Sequence, residues 1–110
     1  MRSKDLEVFD QMPFFAWAKD EQGTYLWVNR ALVGFAGKEL VGKTDRELPW
    51  TSDAATLRAE DRQVLETQKT LCGQVHIAES PRGAVNLSYC KFAGELGGKK
   101  CTLGVSFIVE

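Results

Sequence analysis

The last third of the chain alternates at period two, and that regularity constrains the fold more than any other feature of the 110 residues. Leu71, Val75 and Ile77 stand against Cys72, Gln74 and His76. Val85, Leu87 and Tyr89 stand against Asn86 and Ser88, and Cys101, Leu103, Val105 and Phe107 make a third run. A helix would repeat its apolar side every 3.6 residues, so these runs read as strands. The segments "SPRG" and "GELGGK" separate them, with Pro81 and Gly83 in one and Gly94, Gly97 and Gly98 in the other. Such residues make tight turns, and connections this short join antiparallel neighbours.

Upstream, the periodicity changes twice. Residues 3–11 put Leu6 and Phe9 three apart behind Ser3 as N-cap, which predicts a short amphipathic helix stopped by Pro13. "FFAWAKD" and the run ending at Asn29 then read as a hairpin over residues 14–29, turning at Asp20 to Thr24. Asn29 can cap a helix carrying Ala31, Leu32, Phe35 and Ala36, which Gly37 ends. "KELVG" adds a single turn. Ser52 or Asp53 can cap a longer helix through Thr67, with Ala54, Leu57, Val64 and Leu65 on its apolar side. Arg58, Glu60, Asp61, Arg62 and Glu66 fall on the side expected to face solvent. The sum is an α+β fold with a five-stranded antiparallel sheet, short helices on one face and a helix at the N-terminus.

Fourteen Lys and Arg against fifteen Asp and Glu leave a net charge of -1. No basic field gathers nucleic acid or an anionic membrane, so direct nucleic-acid and membrane contacts are not expected. Three cysteines, Cys72, Cys90 and Cys101, lack C-x-x-C spacing and fit neither a disulfide framework nor a zinc site, so no metal is expected. With no apolar leader or spanning run, a reducing, cytoplasmic setting is the simplest expectation.

Chemistry is harder to find. "GKELVGKT", Gly37 to Thr44, satisfies the bare phosphate-loop pattern. No strand precedes it, and Glu39, Leu40 and Val41 favour helix where free backbone amides are needed. A catalytic set would need a base, but His76 has no evident Ser or Cys partner. Asp45 and Glu47 share one turn and read as solvated acids, so no enzyme is expected.

Three segments nevertheless resemble one family. "MPFFAWAKDEQGTYLWVN", "VGKTDRELPW" and "RAEDRQVLET" are similar, in that order and spacing, to the opening hairpin, the cavity-flanking corner and the end of the longest helix of PAS sensory domains. "VGKTDRELPW" is close to a bacterial subgroup carrying G-K-T-D-x-x-L-P-W. One departure is that Ile108 stands where many PAS domains place the aspartate of Asp-Ile-Thr. The resemblance implies residues 1–12 as an N-terminal helix and residues 13–110 as a PAS-like sensory domain.

It also implies a cavity between sheet and helices. Alternation places Trp17 and Val28 on the inner side of the hairpin, with Leu32, Phe35 and Ala36 on the facing helix. Leu40, Leu48 and Trp50 would form the helical wall, and Val75, Ile77, Leu87 and Tyr89 would close it from the sheet. Pro49 fixes its own φ and restrains Leu48, which aims Trp50 at one place. The occupant is unknown, either nothing or a small organic ligand. Haem is disfavoured because the lone His76 sits on a strand, and covalent flavin because "TDRELPW" lacks cysteine. The expected function is a sensory module of a bacterial signalling protein that binds a small ligand and signals through a dimer interface to an output domain such as a kinase, cyclase or transcription regulator. The alternative is a ligand-free dimerisation domain. The expected homodimer uses Leu6 and Phe9 on the outer sheet face, received by Tyr25, Trp27 and Ile108.

Overall fold

Five antiparallel strands form one sheet in the order β2-β1-β5-β4-β3, in a computed structural model that describes all residues from Met1 to Glu110. They are β1 (Phe15–Asp20), β2 (Tyr25–Val28), β3 (Leu71–Ile77), β4 (Val85–Leu96) and β5 (Lys99–Val109). Between β2 and β3 come α1 (Arg30–Ala36), two 3-10 turns at Asp45–Glu47 and Thr51–Asp53, and α2 (Ala54–Thr67). The α+β architecture expected from the alternation is therefore the observed one. Gly94, expected in a turn, lies inside β4; the turn proper is Gly97–Gly98, both at positive φ, 58° and 81°. Two left-handed residues in succession match the twist of the flanking strands, which lets β4 and β5 run longer than the sequence suggests.

Asn29 ties the first half together. Its side chain is completely buried, accepts from the amides of Leu32 and Ala16, and donates to the carbonyls of Phe9 and Phe14. One amide thus caps α1, fastens β1 and holds the N-terminal segment. Gly37 ends α1 in the left-handed conformation, φ 70°, so the glycine that opened the phosphate-loop pattern is a helix cap.

The two sheet faces carry separate cores. Phe15, Trp17, Tyr25, Leu32, Phe35, Leu40, Leu48, Trp50 and Ile77 belong to the inner one, beneath the helices. On the outer face Leu6, Ala18, Leu96, Cys101 and Leu103 pack together, flanked by Phe9, Leu26 and Trp27. Residues Ser3–Phe9 form a 3-10 segment, not an α-helix, and the N-cap is Arg2, whose amide donates to Asp5 at 2.8 Å.

This placement corrects the expected dimer contact. Leu6 is buried within its own chain, so it is not left for a second copy, and Phe9 is half-buried against the same outer core. Of the supposed receiving residues, Trp27 packs against the same outer core, but Tyr25 is buried on the opposite face and Ile108 packs against the inner core. The cysteines also differ from expectation. Cys72 and Cys90 stand directly opposite on β3 and β4, with Cα atoms 4.1 Å apart, and form a disulfide; Cys101 is free and buried. No spacing motif marks such a pair because hairpin register creates it. No helix is long and apolar enough to cross a membrane.

Candidate functional site

Between the inner sheet face and the helices lies a cleft of about 530 Å³ including its open mouth, lined by 14 residues of which 11 are hydrophobic. Period two explains its floor: Phe15, Trp17 and Lys19 of β1 face inward together, as do Leu87, Tyr89 and Lys91 of β4. Of the residues expected from sequence, Trp17, Leu32, Phe35, Trp50, Val75, Ile77, Leu87 and Tyr89 line it. Val28, Ala36, Leu40 and Leu48 lie behind that wall, packed in the same core. Phe15, Lys19, Tyr25, Leu57, Lys91 and Ser106 also line the cleft and were not foreseen.

The wall is mostly aromatic. Phe35 contacts Phe15 with ring centroids 4.9 Å apart and stacks on Trp50 at 6.0 Å. Trp50 is fixed as the preceding proline suggests, and its indole Nε1 donates to Asp45 Oδ1 at 2.8 Å. Tyr25 donates its hydroxyl to the same oxygen at 2.7 Å, and Lys19 Nζ reaches Asp45 Oδ2 at 2.7 Å. Asp45 is therefore not a solvated loop acid; it is 6% exposed and organises the corner of the cavity.

A second carboxylate departs further from expectation. Asp61 faces the sheet and not solvent, is 1% exposed, and bridges Lys19 Nζ at 2.9 Å and Lys91 Nζ at 3.1 Å. Glu60 completes the chain, accepting from Lys91 at 2.9 Å and from the Tyr89 hydroxyl at 3.1 Å. Two buried lysines and three carboxylates thus join β1, β4, α2 and the Asp45 turn. Burial alone disfavours the Lys19 ammonium, but Tyr25, Asp45 and Asp61 outweigh it and raise its pKa. Burial, reinforced by Glu60, pushes the Tyr89 phenol up to about 12. His76 takes no part. It lies on the outer side of β3, hydrogen bonded to Asn86 at 2.8 Å.

Asp45 gives the network a pH signature. Burial would raise its pKa, but the Lys19 ammonium and the hydrogen bonds from Lys19, Trp50 and Tyr25 bring it below the ordinary carboxylate value. A carboxylate with a depressed folded pKa contributes stability that is complete above its unfolded value, about 4, and is lost as pH falls through the folded one. Stability measured by urea unfolding should therefore fall below about pH 4, and Asp45→Asn should flatten that fall. An unchanged acid slope in the variant would mean that Asp45 is not held ionised by these partners.

Residues 9–97 match the sequence profile of the PAS fold. Solved structures agree. The chain superposes on a VqmA–ligand–DNA complex from Vibrio cholera with TM-score 0.81 at 22% identity, covering 96% of this chain and 50% of that one. On VqmA bound to DPO the TM-score is 0.82 at 21% identity, covering 96% and 57%. For the PAS domain of an HTR-like protein from Haloarcula marismortui the values are 0.72 and 17%, covering 97% and 96%. The chain spans about half the length of the VqmA chains it matches. No curated protein sequence matches it. The VqmA–ligand–DNA complex corrects the expectation that charge alone removes nucleic acid from consideration: a domain of this fold there belongs to a protein bound to DNA. Overall charge on such a module says nothing about the DNA contacts of a larger protein that carries it. With its profile match running from the approach to β1 through the end of β4, and with the sheet and helices to go with it, the chain belongs to the PAS fold family of sensory domains.

Proposed function

We infer that this PAS domain serves as the sensory part of a bacterial signalling protein and takes a small ligand into the aromatic cavity. The observation that carries this reading is the cavity itself: a largely apolar cleft under the helices with a few polar groups in its lining, the usual composition of a small-molecule site. The fold it shares with a VqmA structure bound to DPO supports the same reading. Ligand would act by favouring one of two arrangements of the domain, by no more than its differential affinity for them. The rest of the signalling protein would carry the output.

Native mass spectrometry of the protein as purified tests this, followed by titration with small ring compounds. Bound mass that leaves on denaturation, or saturable binding of an added ring compound, is the expected result. Trp50→Ala should weaken that binding about tenfold or more, because a buried aromatic wall is lost. Bare polypeptide that also fails to bind any ring compound saturably would overturn the reading, and undiminished affinity in the variant would remove Trp50 from the site.

A further inference from the structure

The polar tips of the cavity's aromatic wall are nearly all engaged. Trp50 Nε1 and the Tyr25 hydroxyl both donate to Asp45, and the Tyr89 hydroxyl donates to Glu60. Trp17 Nε1 is the exception. Its side chain lines the cavity, the residue is 9% exposed, and no acceptor in the protein meets this buried N–H. A buried donor without a partner costs stability, so such a group calls for an explanation. The other two buried polar atoms without partners, Arg58 Nη1 and Thr102 Oγ1, belong to residues outside the cavity lining.

The backbone accommodates this indole specifically. Trp17 pairs with Gly104 across β1 and β5, and a Cβ at Gly104 would overlap indole atoms Cζ2 and Cε2 and lie 2.9 Å from Nε1. The ring therefore lies close over a strand that carries no side chain at that point. The lysines that line the cavity are already paired: Lys19 and Lys91 each meet two carboxylates, and the network carries one more carboxylate than lysine. Arg82 lies outside that network, exposed to solvent over the Phe35 ring with its guanidinium 5.4 Å from the ring centroid; among the residues that line the cavity an anionic ligand would gain no unpaired cation and would face the surplus negative charge.

We propose that Trp17 Nε1 is the polar anchor of the cavity, and that its ligand is a small, uncharged, planar ring compound presenting a hydrogen-bond acceptor, a ring nitrogen or a carbonyl, to that N–H. This rests on the reading of the cavity as a ligand site. It adds which atom selects the ligand and what the ligand must carry.

Quinoline and naphthalene test it, since they share a shape and differ by one ring nitrogen. Both are titrated into the unmutated protein and into Trp17→Phe, whose folding is checked by its thermal transition. Trp17→Phe should weaken quinoline about tenfold, the loss of one hydrogen bond to a buried donor, while naphthalene changes little. In the unmutated protein, quinoline but not naphthalene should move the Trp17 indole N–H resonance downfield, a readout that does not require the variant to fold. Binding of both compounds with equal losses in the variant, or with no selective shift of that resonance, would overturn the anchor and leave the cavity standing as a ligand site. Binding of naphthalene without quinoline would likewise overturn the anchor, and failure of both compounds to bind would overturn it and count against the cavity as well.

Discussion

Asp61→Ala should destabilise the fold by about 3–5 kcal/mol, read from urea unfolding at neutral pH. The reason is the loss of two charge-assisted hydrogen bonds in a dry place, each worth about 1.5–3 kcal/mol. Asp61 offers one oxygen to Lys19 at 2.9 Å and the other to Lys91 at 3.1 Å, and both lysines are 2% exposed. Removing it leaves Lys19 with Asp45 and Lys91 with the partly exposed Glu60. Two ammonium groups that shared three carboxylates then share two, across a seam between α2 and the sheet. Since domains of this size are stable by only about 5–15 kcal/mol, the variant should unfold at far lower urea. A loss below about 1 kcal/mol would be the value for a solvated surface pair, and would show that water reaches the network. Replacing Lys19, Asp61 and Lys91 by apolar residues of similar size together with Asp45→Asn and Glu60→Gln, so that no carboxylate is left without its lysine, should cost much less than Asp61→Ala alone, because paired buried charges contribute little net stability.

The strands and the aromatic half of the cavity were legible because their signals are local. Alternation needs only neighbours two apart, and it placed Trp17, Val75, Leu87 and Tyr89 on the inner face, where they line the cleft. The ion network was missed because each charge is justified by a partner far along the chain. Lys19 and Asp61 are 42 residues apart, and Lys91 and Asp61 are 30. A helix side bearing Arg58, Glu60, Asp61 and Arg62 looks solvated by composition, yet two of the four turn to the sheet. A usable signal was nevertheless present. Lys19 follows Trp17 by two and Lys91 follows Tyr89 by two, so the rule that turned the aromatics inward also turned both lysines inward. Two inward lysines require buried carboxylates, and Asp45 and Asp61 supply them. The Cys72–Cys90 pair was readable only with the β3–β4 register, in which Ile77 opposite Val85 brings Cys72 opposite Cys90. Leu6 could not be assigned from its own helix, because the outer core that buries it is built from β1, β4 and β5.

Gly104→Ala should cost about 3 kcal/mol, the upper end of overpacking losses, although alanine in a strand would ordinarily be preferred to glycine. The added Cβ falls inside the contact distance of the Trp17 indole. That ring is planar and stiff, and it sits in a ten-residue buried cluster that leaves it few directions to move. The ring borders the cavity. Relief of the clash should therefore push the indole into the cleft, so ligand binding falls together with stability. Gly94→Ala is the matched control, because its Cβ meets only Leu103, at 2.5 Å from the flexible Cδ1. A rotamer change at Leu103 can absorb that contact for about 1 kcal/mol or less. Thermal unfolding of both variants gives the comparison. Equal and small losses would mean that the Trp17 ring slides without penalty, and a ring so free could not hold its N–H in place for a ligand. A large loss at Gly104 alone would show that β5 holds the indole rigidly, the condition under which a single buried donor can discriminate one ring compound from another.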